Sequence, residues 1–139
     1  MLQGREIAVS TPRGLTAIHA LLQARAKLAA GGDNVQDVFN PIGCGDPLQT
    51  AQLVMAAGQQ DVETAYRLVS DGGRSVMGLP SVRVEAGAPA ELLAVRARSL
   101  GQAIATATED RVVMRGERII ARTRVERALT DAVAARRVA

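Results

Sequence analysis

The stretch Lys27-Leu28-Ala29-Ala30-Gly31-Gly32-Asp33-Asn34 decides how the fold is read. Its first five residues are short, largely apolar and end in glycine, which suits a buried strand, and Gly32, Asp33 and Asn34 open that strand into a loop. Upstream, Leu15, Ile18, Leu21 and Leu22 recur at helical spacing, with Thr16, His19 and Gln23 opposite, so a helix of about three turns is predicted. Before it, Arg5-Glu6-Ile7-Ala8-Val9-Ser10 reads as a short strand that Thr11-Pro12-Arg13-Gly14 closes with a turn. Strand, helix, strand in that order is a βαβ-type unit. It places the chain in the α/β class, with a parallel sheet and helices outside it.

Downstream, residues 34–47 hold Asn40-Pro41, Gly43, Gly45 and Asp46-Pro47, too much turn chemistry for a regular element. A long loop at the C-terminal end of a parallel strand is where α/β proteins usually place chemistry. Helical pattern returns with Leu48, Ala51, Val54 and Met55, and again over Asp61–Val69, where Asp61 is placed to cap. Gly72-Gly73 is expected to break the pattern before a short helix through Val76 and Met77. Beyond Pro80 the character changes. Val82 and Val84 alternate with charged residues, Gly87-Ala88-Pro89-Ala90 is a turn, and Glu91–Val95 is compatible with a strand. Ser99 can cap a helix over about residues 100–107. Arg111–Met114 and Arg118–Ala121 read as a hairpin around Arg115-Gly116-Glu117. A final amphipathic helix is predicted over 124–139, with Val125, Leu129, Ala132 and Val133 on one face.

Composition narrows the partners. The net charge of +3 comes almost entirely from arginine, because Lys27 is the only lysine among 17 basic residues. From Arg111 onward, 8 arginines face 3 acids. Phe39 and Tyr66 are the only aromatic residues, so bases would find almost nothing to stack on, and no nucleic-acid partner is expected. A solvated arginine-rich surface accounts for the charge. No apolar run approaches the roughly 20 residues that span a bilayer, so no membrane partner is expected either. The single cysteine, Cys44, excludes an internal disulfide and, with no leader pattern at residue 1, suggests a cytoplasmic protein.

The run Gly31-Gly32-Asp33-Asn34-Val35-Gln36-Asp37-Val38-Phe39-Asn40-Pro41 resembles the segment that ends the last barrel strand in the cytosine deaminase branch of the metal-dependent amidohydrolase superfamily. Three further parts agree in order and spacing. Thr11-Pro12-Arg13-Gly14-Leu15-Thr16 resembles the loop and helix start before that strand, and Asp46-Pro47-Leu48 through Leu79 resembles the helices after it. Gly87-Ala88-Pro89-Ala90-Glu91-Leu92-Leu93 is similar to the family's Gly-x-x-Ala-Asp-Leu turn, with Glu91 where aspartate is usual. Gly32 stands where relatives often carry histidine or serine. The resemblance runs from about residue 5 to about residue 123. It implies a C-terminal fragment of a (β/α)8 barrel over 1–80, followed by part of a small β domain over 81–123 and a C-terminal helix over 124–139.

The resemblance also implies a chemistry. Hydrolytic deamination needs a water that is nucleophilic at neutral pH, and a bound divalent metal lowers the pKa of water from 15.7 toward roughly 7. In the family the last barrel strand's aspartate binds that metal, zinc or iron, and accepts the proton. Both roles fall on Asp33. Asn34 and Asp37, just after it, are the residues implied to line the pocket and bond the substrate ring, though as capping or turn residues they would be equally at home, and the pocket reading is favoured for Asn34 only. Phe39 could stack on a heterocycle but reads more readily as a packing anchor, and Cys44 reads as no nucleophile.

The family's histidine ligands are absent from the 139 residues, and His19 lies on the polar side of its helix. A catalytic site takes about three protein ligands plus water, so this chain alone is expected to bind no metal and to be inactive without the N-terminal barrel portion. The expected partner is therefore an N-terminal amidohydrolase half, or a second copy covering the open strand edges, with a small-molecule heterocycle as substrate once assembled. The alternative is a non-catalytic truncated remnant that acts as an oligomerisation or binding module through its uncovered apolar surface.

Overall fold

A computed structural model describes residues 14–128. The strand expected at 5–10, most of the turn after it and the chain from residue 129 onward lie outside the described residues. The order is α1 (Ile18–Gln23), α2 (Pro47–Ala56), α3 (Val62–Val69), α4 (Asp71–Val76), β1 (Leu92–Val95), α5 (Leu100–Thr106), β2 (Arg111–Arg115) and β3 (Arg118–Thr123).

The helices that form the core are those whose starts carry a side-chain acceptor. Asp46 accepts from Leu48 N–H ahead of α2, with Pro47 at the first helical position. Asp61 accepts from Thr64 N–H ahead of α3, and Ser99 accepts from Gln102 N–H ahead of α5. Each satisfies one of the N–H groups that a helix start leaves without a partner. The apolar faces of these three helices meet in one cluster: Leu48, Ala51 and Val54 from α2, Ala65 and Leu68 from α3, and Ile104 from α5. Ile18 and Leu22 of α1 and Val95 of β1 pack against its margin. The core therefore joins residues on both sides of Pro80.

The α1 helix is shorter than its spacing predicts. No side chain caps its start, and Leu15 is exposed. It ends where Arg25 turns to φ +55°, with Ala26 N–H donating to Leu21 carbonyl oxygen and Arg25 N–H to that of Leu22. That paired pattern closes a helix in the left-handed manner.

Lys27–Gly31 carries no strand ladder among the described residues, and its expected partner at 5–10 lies outside them. Its backbone meets the helical layer through Ala30 N–H and the Leu68 carbonyl at 2.9 Å. A buried parallel strand needs ladders to its neighbours, and the described residues contain no parallel partner. One expectation is corrected: Gly72-Gly73 does not break a helix, since α4 runs straight through it. A Cβ on Gly72 would lie 2.6 Å from the Leu28 carbonyl oxygen, so the missing side chain lets α4 approach the 27–30 segment.

The sheet is antiparallel in the order β1-β2-β3. Leu92 pairs with Met114 and Val95 with Arg111, and β2 pairs with β3 through an irregularity between Val113 and Met114. The β2–β3 turn is Gly116-Glu117, with φ of +53° and +64°. Two positive φ values define the turn type whose twist matches a hairpin. Glu91, just before β1, is joined to Arg74 of α4 at 2.6 Å. Residues 124–128 are irregular, and the rest of the predicted closing helix lies outside the described residues. No helix among the described residues is long and apolar enough to cross a membrane.

Candidate functional site

Residues 31–46 link the segment after α1 to the start of α2, and they carry the candidate residues. Asp33 is exposed and has φ +56°, a left-handed conformation that apart from glycine is commonest at asparagine and aspartate. The turn that follows is built on Asp37. Its Oδ1 accepts from Phe39 N–H at 2.9 Å and from Asn40 N–H at 2.8 Å, an Asx-type turn. The Asn34 amide donates to Asp37 Oδ2. The backbone N–H of Asn40 chiefly holds the Asp37 carboxyl below the usual carboxylate range. Burial works against it, and the Asn34 amide and Phe39 N–H add to it.

Asn40 is the buried centre of the loop, at 7% exposure. Its Nδ2 donates to the carbonyl oxygens of Gly32 at 3.2 Å and Asn34 at 2.9 Å. Gly43 closes the loop over it, donating its N–H to the Asn40 carbonyl and accepting from Gln36 N–H, both at 3.1 Å. Asn40 Oδ1 is buried and accepts no hydrogen bond from the described residues. An unsatisfied buried acceptor costs about 1–3 kcal/mol, which the two donations of the same amide have to offset.

The loop's far end is fixed by charge. Arg111 of β2 grips Asp46 with both branches of its guanidinium, Nη1 to Oδ1 at 3.0 Å and Nη2 to Oδ2 at 2.6 Å. Arg111 also donates to the carbonyl oxygens of Ala107 and Thr108. Burial pushes the Asp46 carboxyl up. The Arg111 hydrogen bonds, the Leu48 N–H and the arginine's charge outweigh that and leave it below its ordinary value. The same pairing raises the Arg111 guanidinium against the opposing effect of burial. Asp46 thus serves two structures, capping α2 and tying the helical layer to the sheet.

Of the residues singled out from the sequence, Asp33, Asn34, Asp37 and Phe39 fall in this one compact loop. Asn34 is half-buried with its amide turned to Asp37. Phe39 is exposed beside the exposed Val38 and Ile42, so it anchors no packing among the described residues. Cys44 is exposed, its thiol 2.9 Å from Gln49 Oε1. His19 stands apart, exposed on α1, where its ring receives the Gln23 amide at 2.9 Å. Sequence reasoning passed over Asn40 and Arg111. The Asp37-x-x-Asn40 spacing carries a local signal for the first. Nothing local points to the second, whose partner is 65 residues away.

Among the described residues, no three or more His, Cys, Asp or Glu side chains come together to hold a metal. Asp33 offers one carboxylate where a catalytic zinc site takes about three protein ligands. These residues do not make a metal centre by themselves. What they make is a short, internally bonded loop that presents one carboxylate to solvent.

Over 114 residues the chain is 32% identical to a pterin deaminase of Rhizobium rhizogenes (strain K84 / ATCC BAA-868). The match takes in 80% of this chain and 26% of that protein, so the chain spans about a quarter of the relative's length. A match over four-fifths of the chain necessarily includes Asp33 and the loop after it. The similarity is to a deaminase, as the motif resemblance implies, but to one named for a pterin rather than for cytosine. No protein-family model matches the chain, and no solved structure matches it.

Proposed function

We propose that this chain is the C-terminal part of a metal-dependent hydrolytic deaminase, and that it contributes Asp33 as the carboxylate that accepts a proton from the attacking water. The observation that carries the reading is the exposed, left-handed Asp33 at the start of an internally bonded loop, within a segment similar to a deaminase. The substrate class is an amino-substituted nitrogen heterocycle. Cytosine and the pyrimidine ring of a pterin share an amidine unit, a ring carbon that is double-bonded to a ring nitrogen and bears the amine to be lost.

In this reaction water adds to that carbon, Asp33 takes its proton, and the proton passes to the departing nitrogen, which leaves as ammonia. A divalent metal, zinc or iron, held by ligands beyond the described residues, would supply the acidity of the water. The amide of Asn34 is the nearest candidate to bond the ring, and doing so requires it to exchange its Asp37 partner. The rest of the site belongs to the barrel portion that precedes this segment in the family.

Replacing the matching segment of the similar pterin deaminase with this chain tests the reading. Ammonia release from cytosine and from a pterin is expected to fall to background on Asp33→Ala. Activity that survives that substitution rejects the role of Asp33. A hybrid that is soluble, binds metal and releases ammonia from neither ring favours a non-catalytic binding module instead.

A further inference from the structure

The left-handed backbone of Asp33 is flanked on both sides by carbonyls held by one side chain. Asn40 Nδ2 reaches the Gly32 carbonyl oxygen, part of the peptide whose orientation sets φ of Asp33, and the Asn34 carbonyl oxygen one residue beyond. We propose that Asn40 is a positioning residue that locks Asp33 in its left-handed conformation by bracing these two carbonyls, and so aims its carboxylate. The catalytic meaning of that aim rests on the role proposed above for Asp33. The brace itself does not.

The support around Asn40 is specific to holding its amide. Asp37 Oδ1 accepts the Asn40 backbone N–H at 2.8 Å, and Gly43 donates to its carbonyl at 3.1 Å, so the residue is held at both ends of its peptide unit. Gly43 leaves room for it. A Cβ there would lie 2.2 Å from the Asn34 carbonyl oxygen and 2.5 Å from Asn40 Nδ2, striking the brace at its point of contact. Packing alone does not explain an amide here. A leucine fills a similar volume without burying an unsatisfied acceptor, which Asn40 does at Oδ1. A left-handed φ is disfavoured at a residue with a Cβ, though least at asparagine and aspartate, and the two donations from Asn40 hold the flanking carbonyls against leaving it.

Two substitutions attack the brace from opposite sides. N40D keeps the shape and removes the donors, and G43A leaves Asn40 in place and drives a methyl group into it. Nuclear magnetic resonance of the full chain reads the result through the Asp33 Cα and Cβ chemical shifts, with the methyl signals of Leu68 and Ile104 reporting on the core. The shifts of Asp33 are expected to leave their left-handed values in both variants while the core signals stay in place. Asp33 shifts that match the parent in a folded variant overturn the brace, and loss of the fold in one variant leaves the other to decide.

In the hybrid enzyme, N40D is expected to lower kcat by about 100-fold with KM near the parent's, as displacement of a reacting group by about 1 Å would. An unchanged kcat overturns the aiming role. A parent hybrid that releases no ammonia counts against the deaminase reading, and the chemical-shift result then decides the brace by itself.

Discussion

The helical layer and the loop that carries Asp33 are held together by opposite means. In α2, α3 and α5, Leu48, Ala51, Val54, Ala65, Leu68 and Ile104 exclude water from one continuous cluster. In residues 31–46 the buried centre is an asparagine, and Val35, Val38, Phe39 and Ile42 face outward. Apolar burial is non-directional and spreads its effect over many contacts, whereas an amide acts only through atoms at bonding distance. The layer should therefore lose stability in proportion to the volume removed. The loop should lose its shape to changes of one or two atoms that barely touch global stability.

The largest break in that comparison is a cavity. Ile104 is 1% exposed, and Ile104→Ala should cost about 3 kcal/mol in denaturant unfolding. A cost below about 1 kcal/mol would mean that the layer does not depend on this packing and would remove the contrast.

Next comes the ion pair that joins the loop's end to the sheet. Arg111 and Asp46 side chains are 17% and 18% exposed, so Arg111→Ala leaves a mostly buried carboxylate without its partner and should cost about 2 kcal/mol, below the full burial penalty. The pH dependence has a definite sign. The folded-state pKa of Asp46 is depressed, so its contribution is present above the unfolded value of about 3.9 and is lost as pH falls from there through the lower folded value. Asp46→Asn should flatten that part of the acid unfolding curve, and an unchanged curve would mean that the pair contributes nothing.

A smaller effect tests the helix starts. Asp61→Ala removes the acceptor for Thr64 N–H and should cost about 1 kcal/mol by thermal unfolding. The smallest sharpens the picture of the sheet, all of whose β3 residues are exposed. Glu117 carries a side chain at φ +64°, so Glu117→Gly should gain about 0.5 kcal/mol as left-handed strain is relieved against the added freedom of the unfolded chain. A loss on that substitution would show that the glutamate side chain contributes more than its backbone costs.

Legibility in the sequence follows the range of the interactions. The cap at Asp61, the cap at Ser99 and the hairpin around Gly116 are decided within a few residues, and each appears where the pattern places it. Lys27–Gly31 has the composition of a buried strand, but a strand exists only through its neighbours, and among the described residues the segment meets Leu68 and Gly72. Gly72-Gly73 reads as punctuation because helix propensity is a local quantity, while the close approach to Leu28 that favours small residues there is not. For the site, Asp33 stands out in the sequence through its motif alone, whereas the Asn-Pro step at Asn40 reads as an ordinary turn whether its amide faces water or reaches backbone carbonyls.

By itself the sequence determined the capped helices, the hairpin, the arginine-rich charge and the loop in which chemistry was to be sought. All of these depend on residue types a few positions apart. Only the tertiary structure decided that α5 shares a core with α2 and α3, that Asp46 meets Arg111, and that Asn40 reaches back to both sides of Asp33. Those contacts depend on where the chain returns in space, and a buried amide or guanidinium reveals its partner only when the distance between them closes to about 3 Å.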